Sequence, residues 1–185
     1  MKKVVVTGMG ILSAIGNGID KVKHSLLNGV SGIKFNQEYS DLGMRSHVSG
    51  SVDIDLTELI DRKLMRFMSK AAAFGYLSAK EALTHSGIKL EELNPARVGI
   101  VAGSGGASPE AQIIASDVAR EKSPKRIGPY AVTKTMGSTV SACMGTALKT
   151  QGGNYSISSA CSTSCLLYTS PSPRDLSTSR MPSSA

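Results

Sequence analysis

The sequence predicts an α/β protein with a largely buried sheet. Residues 3–7 and 98–102 are apolar runs of the kind that form strands covered on both faces, and glycines directly follow each run. Between and after these runs, apolar residues recur at helical spacing. This alternation of strand and helix patterns is typical of a sheet with helices packed against it.

The first strand pattern leads into Gly8-Met9-Gly10, which is also how a dinucleotide-binding fingerprint begins. That fingerprint needs a third glycine three positions later, where this chain has Ser13. We therefore interpret Gly8 and Gly10 as tight-turn residues. The glycines at positions 103, 105 and 106 lack the Gly-Lys-Ser/Thr continuation of a phosphate-binding loop.

Four helices are predicted from apolar spacing and capping signals. The first ends at Asn28-Gly29, the second covers residues 59–85, and the third begins with Ser108 as cap and Pro109 as first residue. The fourth covers the region around residues 136–144. The apolar stripe of the second helix is interpreted as core and consists of Met68, Ala72, Tyr76, Ala79 and Leu83. The fourth helix carries another apolar stripe, which consists of Met136, Val140, Cys143 and Met144.

Amino-acid composition limits which class of binding partner and which cellular compartment we expect. A net charge of +7 suits nucleic acid, a membrane surface or an acidic protein. With five Tyr, three Phe, no Trp and no long apolar run, we expect neither nucleic acid nor membrane, but an acidic protein partner. Three cysteines, an odd number, and the lack of a signal-peptide pattern after Met1 predict a cytoplasmic protein.

No metal site is expected from the three histidines. His24 and His85 fall in helical patterns without an acidic or cysteine partner at ligand spacing, and His47 stands alone. We expect His47 to be structural or exposed.

The strongest candidate for a catalytic residue is Cys161, which lies in the Ser- and Thr-rich stretch 156–164. Residues 154–158 have the pattern of a short strand, and small residues around the cysteine would allow a sharp turn and the approach of a substrate. A helix beginning just after the cysteine would favour the nucleophilic thiolate. A buried structural cysteine is the alternative that cysteine statistics alone would favour.

Residues 158–164, Ser-Ser-Ala-Cys-Ser-Thr-Ser, resemble the active-site segment of the β-ketoacyl-[acyl-carrier-protein] synthases of the thiolase-like superfamily. Residues 5–10, 43–48, 61–63, 103–106 and 128–130 match other segments of that family in the same order. The chain is most similar to the synthase I type of bacterial fatty-acid synthesis. The resemblance covers residues 1–164 and implies the N-terminal half of a layered αβαβα thiolase-like fold, in a protein that is a homodimer when intact.

The resemblance also implies an acyltransferase that elongates fatty acyl chains by decarboxylative Claisen condensation. Cys161 would carry the acyl group as a thioester, and its backbone N–H would be one oxyanion donor. The second donor and two histidines would come from a second half of the protein, and no metal or cofactor is implied. Two alternatives are a polyketide-type condensing enzyme and a non-catalytic carrier-protein-binding relative, a class that usually lacks the cysteine.

Two groups of basic residues match the family's docking site for its partner, the acidic, phosphopantetheine-bearing acyl carrier protein. Arg62, Lys63 and Arg66 are expected on about one turn of the second helix, and Lys122 and Lys125 precede Gly128-Pro129-Tyr130. The alternative for the first group is a solvated basic face.

The family pattern stops after Ser164, and we predict that residues 165–185 are a non-native tail. The family would continue as a small-residue helix, which Pro171, Pro173 and Pro182 would prevent. Residues 165–175 can be encoded by a common transposase-type sequencing adapter. Residues 179–185 can be encoded by the flow-cell end of such a library, in the same frame and after the usual index length. Residues 1–164 are therefore predicted to be a truncated synthase domain, inactive without its second half.

Re-amplification of the locus from source DNA across the Ser164 codon tests this interpretation. The expected product continues with a small-residue helix and, much later, two histidine-bearing motifs. Recovery of the codons for residues 166–185 from an adapter-free template would show that the tail is native protein.

Overall fold

The computed structural model describes residues 4–169, which fall into two compact units. The first unit comprises the described residues up to Met65 together with Ala73–Glu92, and the second comprises Arg66–Ala72 and the described residues from Leu93 onward. Each unit combines helices with short strands, so the predicted α/β class is confirmed. Throughout residues 4–169, every helix is too short or too polar to span a lipid bilayer.

The first unit contains two antiparallel strand pairs, β1 with β2 and β3 with β4. Its elements in chain order are β1 (Leu12–Ser13), β2 (Gly16–Asn17), α1 (Ile19–Leu27), β3 (Ile33–Phe35), α2 (Gln37–Asp41), β4 (Val48–Gly50), α3 (Leu56–Leu59) and α4 (Arg62–Met65). The long helix α5 (Lys70–Ser86) begins in the second unit and belongs to the first from Ala73 onward. The predicted end of the first helix is confirmed, since Asn28 caps α1 and Gly29 follows at a positive φ of 63°.

The single helix predicted over residues 59–85 is wrong in its extent, because this stretch contains the end of α3, all of α4 and most of α5. Ile60 is extended, and the carboxylate of Asp61 accepts a hydrogen bond from the Lys63 N–H at 2.7 Å. Such a local side-chain bond starts a new helix instead of continuing the old one. Met68 and Ala72 are buried as predicted, with 3% and 0% exposure, while the later members of the stripe are half-buried.

The predicted strand at residues 3–7 is wrong for its described part, residues 4–7. These residues belong to no strand, and the side chains of Val4, Val5 and Val6 are exposed to 74%, 70% and 80%. A strand needs a neighbouring strand to satisfy its backbone hydrogen bonds. Within the described part of the chain, no strand pairs with this run.

Gly8 and Gly10 are close-approach residues, so their interpretation as tight-turn residues is wrong. A Cβ atom on Gly8 would collide with the carbonyl oxygen of Ala82, and one on Gly10 with that of Ser78. Both carbonyls belong to α5. The glycines therefore let the N-terminal segment lie directly against the helix backbone.

Two side chains of α5 hold this segment in place. The carboxylate of Glu81 accepts hydrogen bonds from the N–H groups of Ile11 at 2.8 Å and Ile19 at 2.7 Å, and Ile19 is the first residue of α1. His85 accepts a hydrogen bond from the Met9 N–H through Nδ1 at 3.1 Å. His85 therefore has a structural contact.

The second unit is built around a pair of parallel strands. Its further elements are β5 (Ile100–Gly103), α6 (Pro109–Glu121), α7 (Ala131–Thr135), α8 (Thr139–Leu148), β6 (Asn154–Ile157) and α9 (Thr163–Thr169). β5 and β6 pair in parallel, with Ile100 opposite Asn154 and Gly103 opposite Ile157. Ile100, Ala102 and Val140 form the core between β5 and α8, and Ala71 and Met144 pack against it.

The second predicted strand is confirmed, but it is covered on one face only. Ile100 and Ala102 are buried, whereas Val101 of β5 and Tyr155 of β6 are exposed to 54% and 66%. Because side chains alternate between the two faces of a strand, Val101 points away from the core that contains Ile100 and Ala102. The predicted burial of both faces is therefore wrong within the described residues.

The helix start predicted at Ser108 is confirmed and offers a test of local stability. The Ser108 hydroxyl accepts a hydrogen bond from the Ala111 N–H, and Pro109 is the first residue of α6. Replacing Ser108 by Ala in the full-length protein should lower the free energy of unfolding by about 1 kcal/mol, measured by denaturant titration. Ser108→Thr keeps the capping oxygen and should cost less. Equal losses for the two variants would show that the cap does not contribute.

Candidate functional site

Cys161 lies in a short turn between β6 and α9. β6 ends at Ile157, a single 3₁₀ turn covers Ala160–Ser162, and α9 begins at Thr163. The predicted strand before the cysteine and the helix after it are therefore both present. The Cys161 side chain is exposed and its thiol is free, which excludes the alternative of a buried structural cysteine.

The turn depends on an unusual backbone conformation at Ala160. Its φ is 44°, in the left-handed region that a residue with a Cβ atom rarely adopts. The hydroxyl of Thr163 accepts a hydrogen bond from the Ser159 N–H and donates one to the Ala160 carbonyl, each at 2.8 Å. Thr163 is buried, with 4% exposure. Hydrogen bonds from one side chain thus close the turn before and after Ala160.

Two glycines of the motif at residues 103–106 allow this turn to lie against the end of β5 and the loop that follows it. A Cβ atom on Gly103 would come within 2.6 Å of the Ile157 carbonyl oxygen and within 2.6 Å of Thr163 Cγ2. A Cβ atom on Gly105 would lie 2.8 Å from the Ala160 carbonyl oxygen. Any larger residue at either position would displace the turn that carries Cys161.

Cys143, in contrast to Cys161, is buried. It is 6% exposed on α8, and its thiol donates a hydrogen bond to the Phe67 carbonyl at 3.5 Å. Burial raises the pKa of the Cys143 thiol, and a contact with the Thr139 hydroxyl only partly opposes this effect. Cys143 therefore stays protonated and packed, as its place in the predicted apolar stripe suggested.

The three basic residues expected on one helical turn are divided by the structure. Arg62 and Lys63 are exposed on α4 in the first unit. Arg66 is also exposed, but it follows the end of α4 and belongs to the second unit. The prediction of a shared helical turn is therefore wrong, because α4 ends at Met65.

Arg66, Lys122 and Lys125 all belong to the second unit, where an aromatic contact links their segments. The rings of Phe67 and Tyr130 meet edge to face with their centroids 4.7 Å apart. Phe67 directly follows Arg66, and Tyr130 closes the segment that contains Lys125. Within the described residues, the ion pairs of the structure involve none of these three cations.

Sequence reasoning missed two residues near these sites. Arg126 lines an open groove beside the end of α6 together with Val118, Lys122 and Ser123. Its position next to Lys125 in a basic segment was the available signal. Thr163 was noted only as part of the Ser- and Thr-rich stretch, and its spacing of three residues from Ala160 was the signal for a turn-closing hydroxyl.

The helix α9 extends into the segment predicted to be a non-native tail. It runs to Thr169, so the expectation that no helix continues after Ser164 is wrong for residues 165–169. Residues 170–185, including the three prolines, lie outside the described residues.

Comparison with known proteins places these features in one family. A family model described as "Beta-ketoacyl synthase, N-terminal domain" matches residues 1–170. The 3-oxoacyl-[acyl-carrier-protein] synthase 1 of Escherichia coli (strain K12) is 52% identical over 166 residues. That alignment covers 89% of this chain and 41% of the relative, so the chain spans about two fifths of the relative's length.

Solved structures agree in fold at low sequence identity. A β-ketoacyl synthase from Burkholderia phymatum STM815 superimposes with a TM-score of 0.74 at 22% identity, covering 88% of this chain and 41% of that one. The AntDE:AntF structure, a type II PKS acyl-carrier protein in complex with its ketosynthase bound to the hexaketide, gives a TM-score of 0.60 at 22% identity. The superposition covers 83% of this chain and 40% of the neighbour's chain.

These neighbours identify the fold as the N-terminal part of the thiolase-like α/β fold. The chain belongs to the β-ketoacyl synthase family and carries its N-terminal domain.

Proposed function

We propose that the full-length protein carrying this segment elongates fatty acyl chains on a carrier protein, with Cys161 as the acylated nucleophile. The observation that carries this proposal is the exposed, free thiol of Cys161 on a constrained turn between a strand and a helix. The name of the Escherichia coli relative, a 3-oxoacyl-[acyl-carrier-protein] synthase, supports the same reaction.

In the first half of the reaction, the Cys161 thiolate attacks the acyl thioester of the carrier protein. A new carbon–sulfur bond forms, and the phosphopantetheine thiolate of the carrier protein leaves. Thiolates are suited to this exchange because they are good nucleophiles and good leaving groups. The backbone N–H of Cys161 would stabilise the developing oxyanion together with a second donor from the rest of the protein.

In the second half, malonyl-carrier protein loses its free carboxylate as carbon dioxide. The electron pair of the broken carbon–carbon bond becomes an enolate, which attacks the carbonyl carbon of the Cys161 thioester. A carbon–carbon bond forms, Cys161 leaves as the thiolate, and 3-oxoacyl-carrier protein is released. The 185-residue chain by itself is proposed to be inactive, because the histidines that the family uses lie outside it.

Cys161 also favours a catalytic function over the alternative of a non-catalytic carrier-protein-binding relative. A polyketide-type synthase would share Cys161 and would differ in its acyl pocket. Assays of the full-length protein with fatty acyl-carrier protein and with polyketide intermediates separate the two reactions.

The proposed partner is an acidic acyl carrier protein, bound by Arg62, Lys63, Arg66, Lys122 and Lys125. All five side chains are exposed, and in the second unit the Phe67–Tyr130 contact joins the segment of Arg66 to that of Lys125. An aromatic pair flanked by cations provides both apolar contact area and attraction for an acidic surface. The AntDE:AntF structure contains a type II PKS acyl-carrier protein in complex with its ketosynthase.

Three further predictions remain proposals. The intact protein is proposed to be a homodimer, and β6 offers an edge on which, within the described residues, no second strand pairs. It is proposed to act in the cytoplasm. Residues 165–185 are proposed to be a non-native tail, although the family model match extends to residue 170.

Replacement of Cys161 by Ala in the full-length protein tests the proposed nucleophile. The variant should accept no covalent label from radiolabelled acyl-carrier protein, because its side chain has no nucleophilic atom. Cys143→Ala is the matched control and should label as the unaltered protein does. Persistent label on Cys161→Ala would overturn the assignment of the nucleophile.

Charge reversal at Arg66 tests the proposed partner site. Arg66→Glu should raise the KM for acyl-carrier protein by at least about threefold, because an attraction becomes a repulsion. The difference should shrink at high salt, and turnover of a small acyl thioester should be unaffected. Lys23→Glu on α1 changes the net charge equally and should leave both substrates unaffected. Equal losses with the two substrates for Arg66→Glu would indicate a structural role.

A further inference from the structure

Thr163 is a buried residue whose hydroxyl makes two hydrogen bonds within the turn that carries Cys161. It accepts from the Ser159 N–H and donates to the Ala160 carbonyl, each at 2.8 Å. A hydroxyl has one proton and two lone pairs, so both bonds form at the same time. With 4% exposure, the side chain is protected from water that would compete for these partners.

The bond to the Ala160 carbonyl acts on the peptide group that ends in the nitrogen of Cys161. Because a peptide group is planar, fixing its carbonyl oxygen also fixes the direction of the Cys161 N–H. Ala160 itself has a φ of 44°, an unfavourable value for a residue with a Cβ atom. Without the hydroxyl, the turn would keep the hydrogen bond from the Ser162 N–H to the Ser159 carbonyl, but it would lose the two side-chain bonds on either side of Ala160 that oppose relaxation to a negative φ.

The methyl group of Thr163 is held as firmly as its hydroxyl. A Cβ atom on Gly103 would come within 2.6 Å of Thr163 Cγ2, so the backbone of β5 packs directly against this methyl group. A β-branched side chain has a stiff χ1, and contact with β5 on one side leaves the hydroxyl directed at the turn. The Thr163 side chain therefore links the conformation of the turn to the parallel strands, in addition to the direct approach of Gly105 to the Ala160 carbonyl.

We propose that Thr163 is a positioning residue that sets the orientation of the Cys161 sulfur and backbone N–H for attack on the acyl thioester. This inference rests on the proposed function, in which Cys161 is acylated and its N–H stabilises the oxyanion. Thr163 contacts neither group directly and acts through the peptide group between Ala160 and Cys161.

Isosteric replacement in the full-length enzyme separates the hydroxyl from the packing of the side chain. Thr163→Val keeps the shape and loses both hydrogen bonds, whereas Thr163→Ser keeps the hydroxyl and loses the methyl group. Thr146→Val is the matched control, since among residues 4–169 the Thr146 hydroxyl bonds within α8, to the Ala142 carbonyl at 2.9 Å. The measurements are the single-turnover rate of Cys161 acylation by acyl-carrier protein, the KM for that substrate, and the thermal midpoint.

Thr163→Val should lower the acylation rate at least about tenfold with an unchanged KM, because misplacement of a reacting group slows the chemical step and leaves partner binding intact. Thr163→Ser should retain most of the rate, and Thr146→Val all of it. An unchanged rate for Thr163→Val would overturn the proposal, and so would a loss in Thr163→Ser as large as that in Thr163→Val. If Thr163→Val does not fold, the rate of Thr163→Ser decides alone. Absence of acylation at Cys161 in the unaltered enzyme would instead refute the proposed function.

Discussion

The close approach between β5 and the turn that carries Cys161 is the constraint on which the second unit depends. Gly103 at the end of β5 and Gly105 in the loop after it leave no room for a Cβ atom, so this stretch of backbone directly supports the turn. α8 packs against the same strand from the core side through Val140. The cysteine is therefore held by a strand that is itself part of the core, which is the usual way to give a reactive group a fixed position.

The described residues contain apolar surfaces that they do not cover themselves. The run at residues 4–6 pairs with no described strand, and the face of β5 and β6 with Val101 and Tyr155 is exposed. Parallel strands are normally covered on both faces. Their local sequence is thus adapted to a more complete sheet than the one that the described residues form.

The basic residues illustrate how charge and packing combine in the proposed partner site. Local patterns alone placed Arg62, Lys63 and Arg66 on one turn, but the side chain of Asp61 starts a short helix that ends before Arg66. In the second unit, packing of Phe67 on Tyr130 links two segments that are distant in sequence. Electrostatic attraction is non-directional, whereas such a contact gives a docking surface a defined shape.

The sequence by itself determined the α/β class, the C-terminal end of α1, the cap of α6, the strand before Cys161 and the family, because each depends on neighbouring residues or on a local motif. Tertiary structure decided which strands pair, why Gly8 and Gly10 are glycines, and how Thr163 holds the turn. These features require backbone segments that are far apart in sequence to meet: α5 with the N-terminal segment, and β5 with the turn. The sequence shows that a glycine or a threonine is present, but only the folded chain shows which backbone atom the glycine or the threonine hydroxyl contacts.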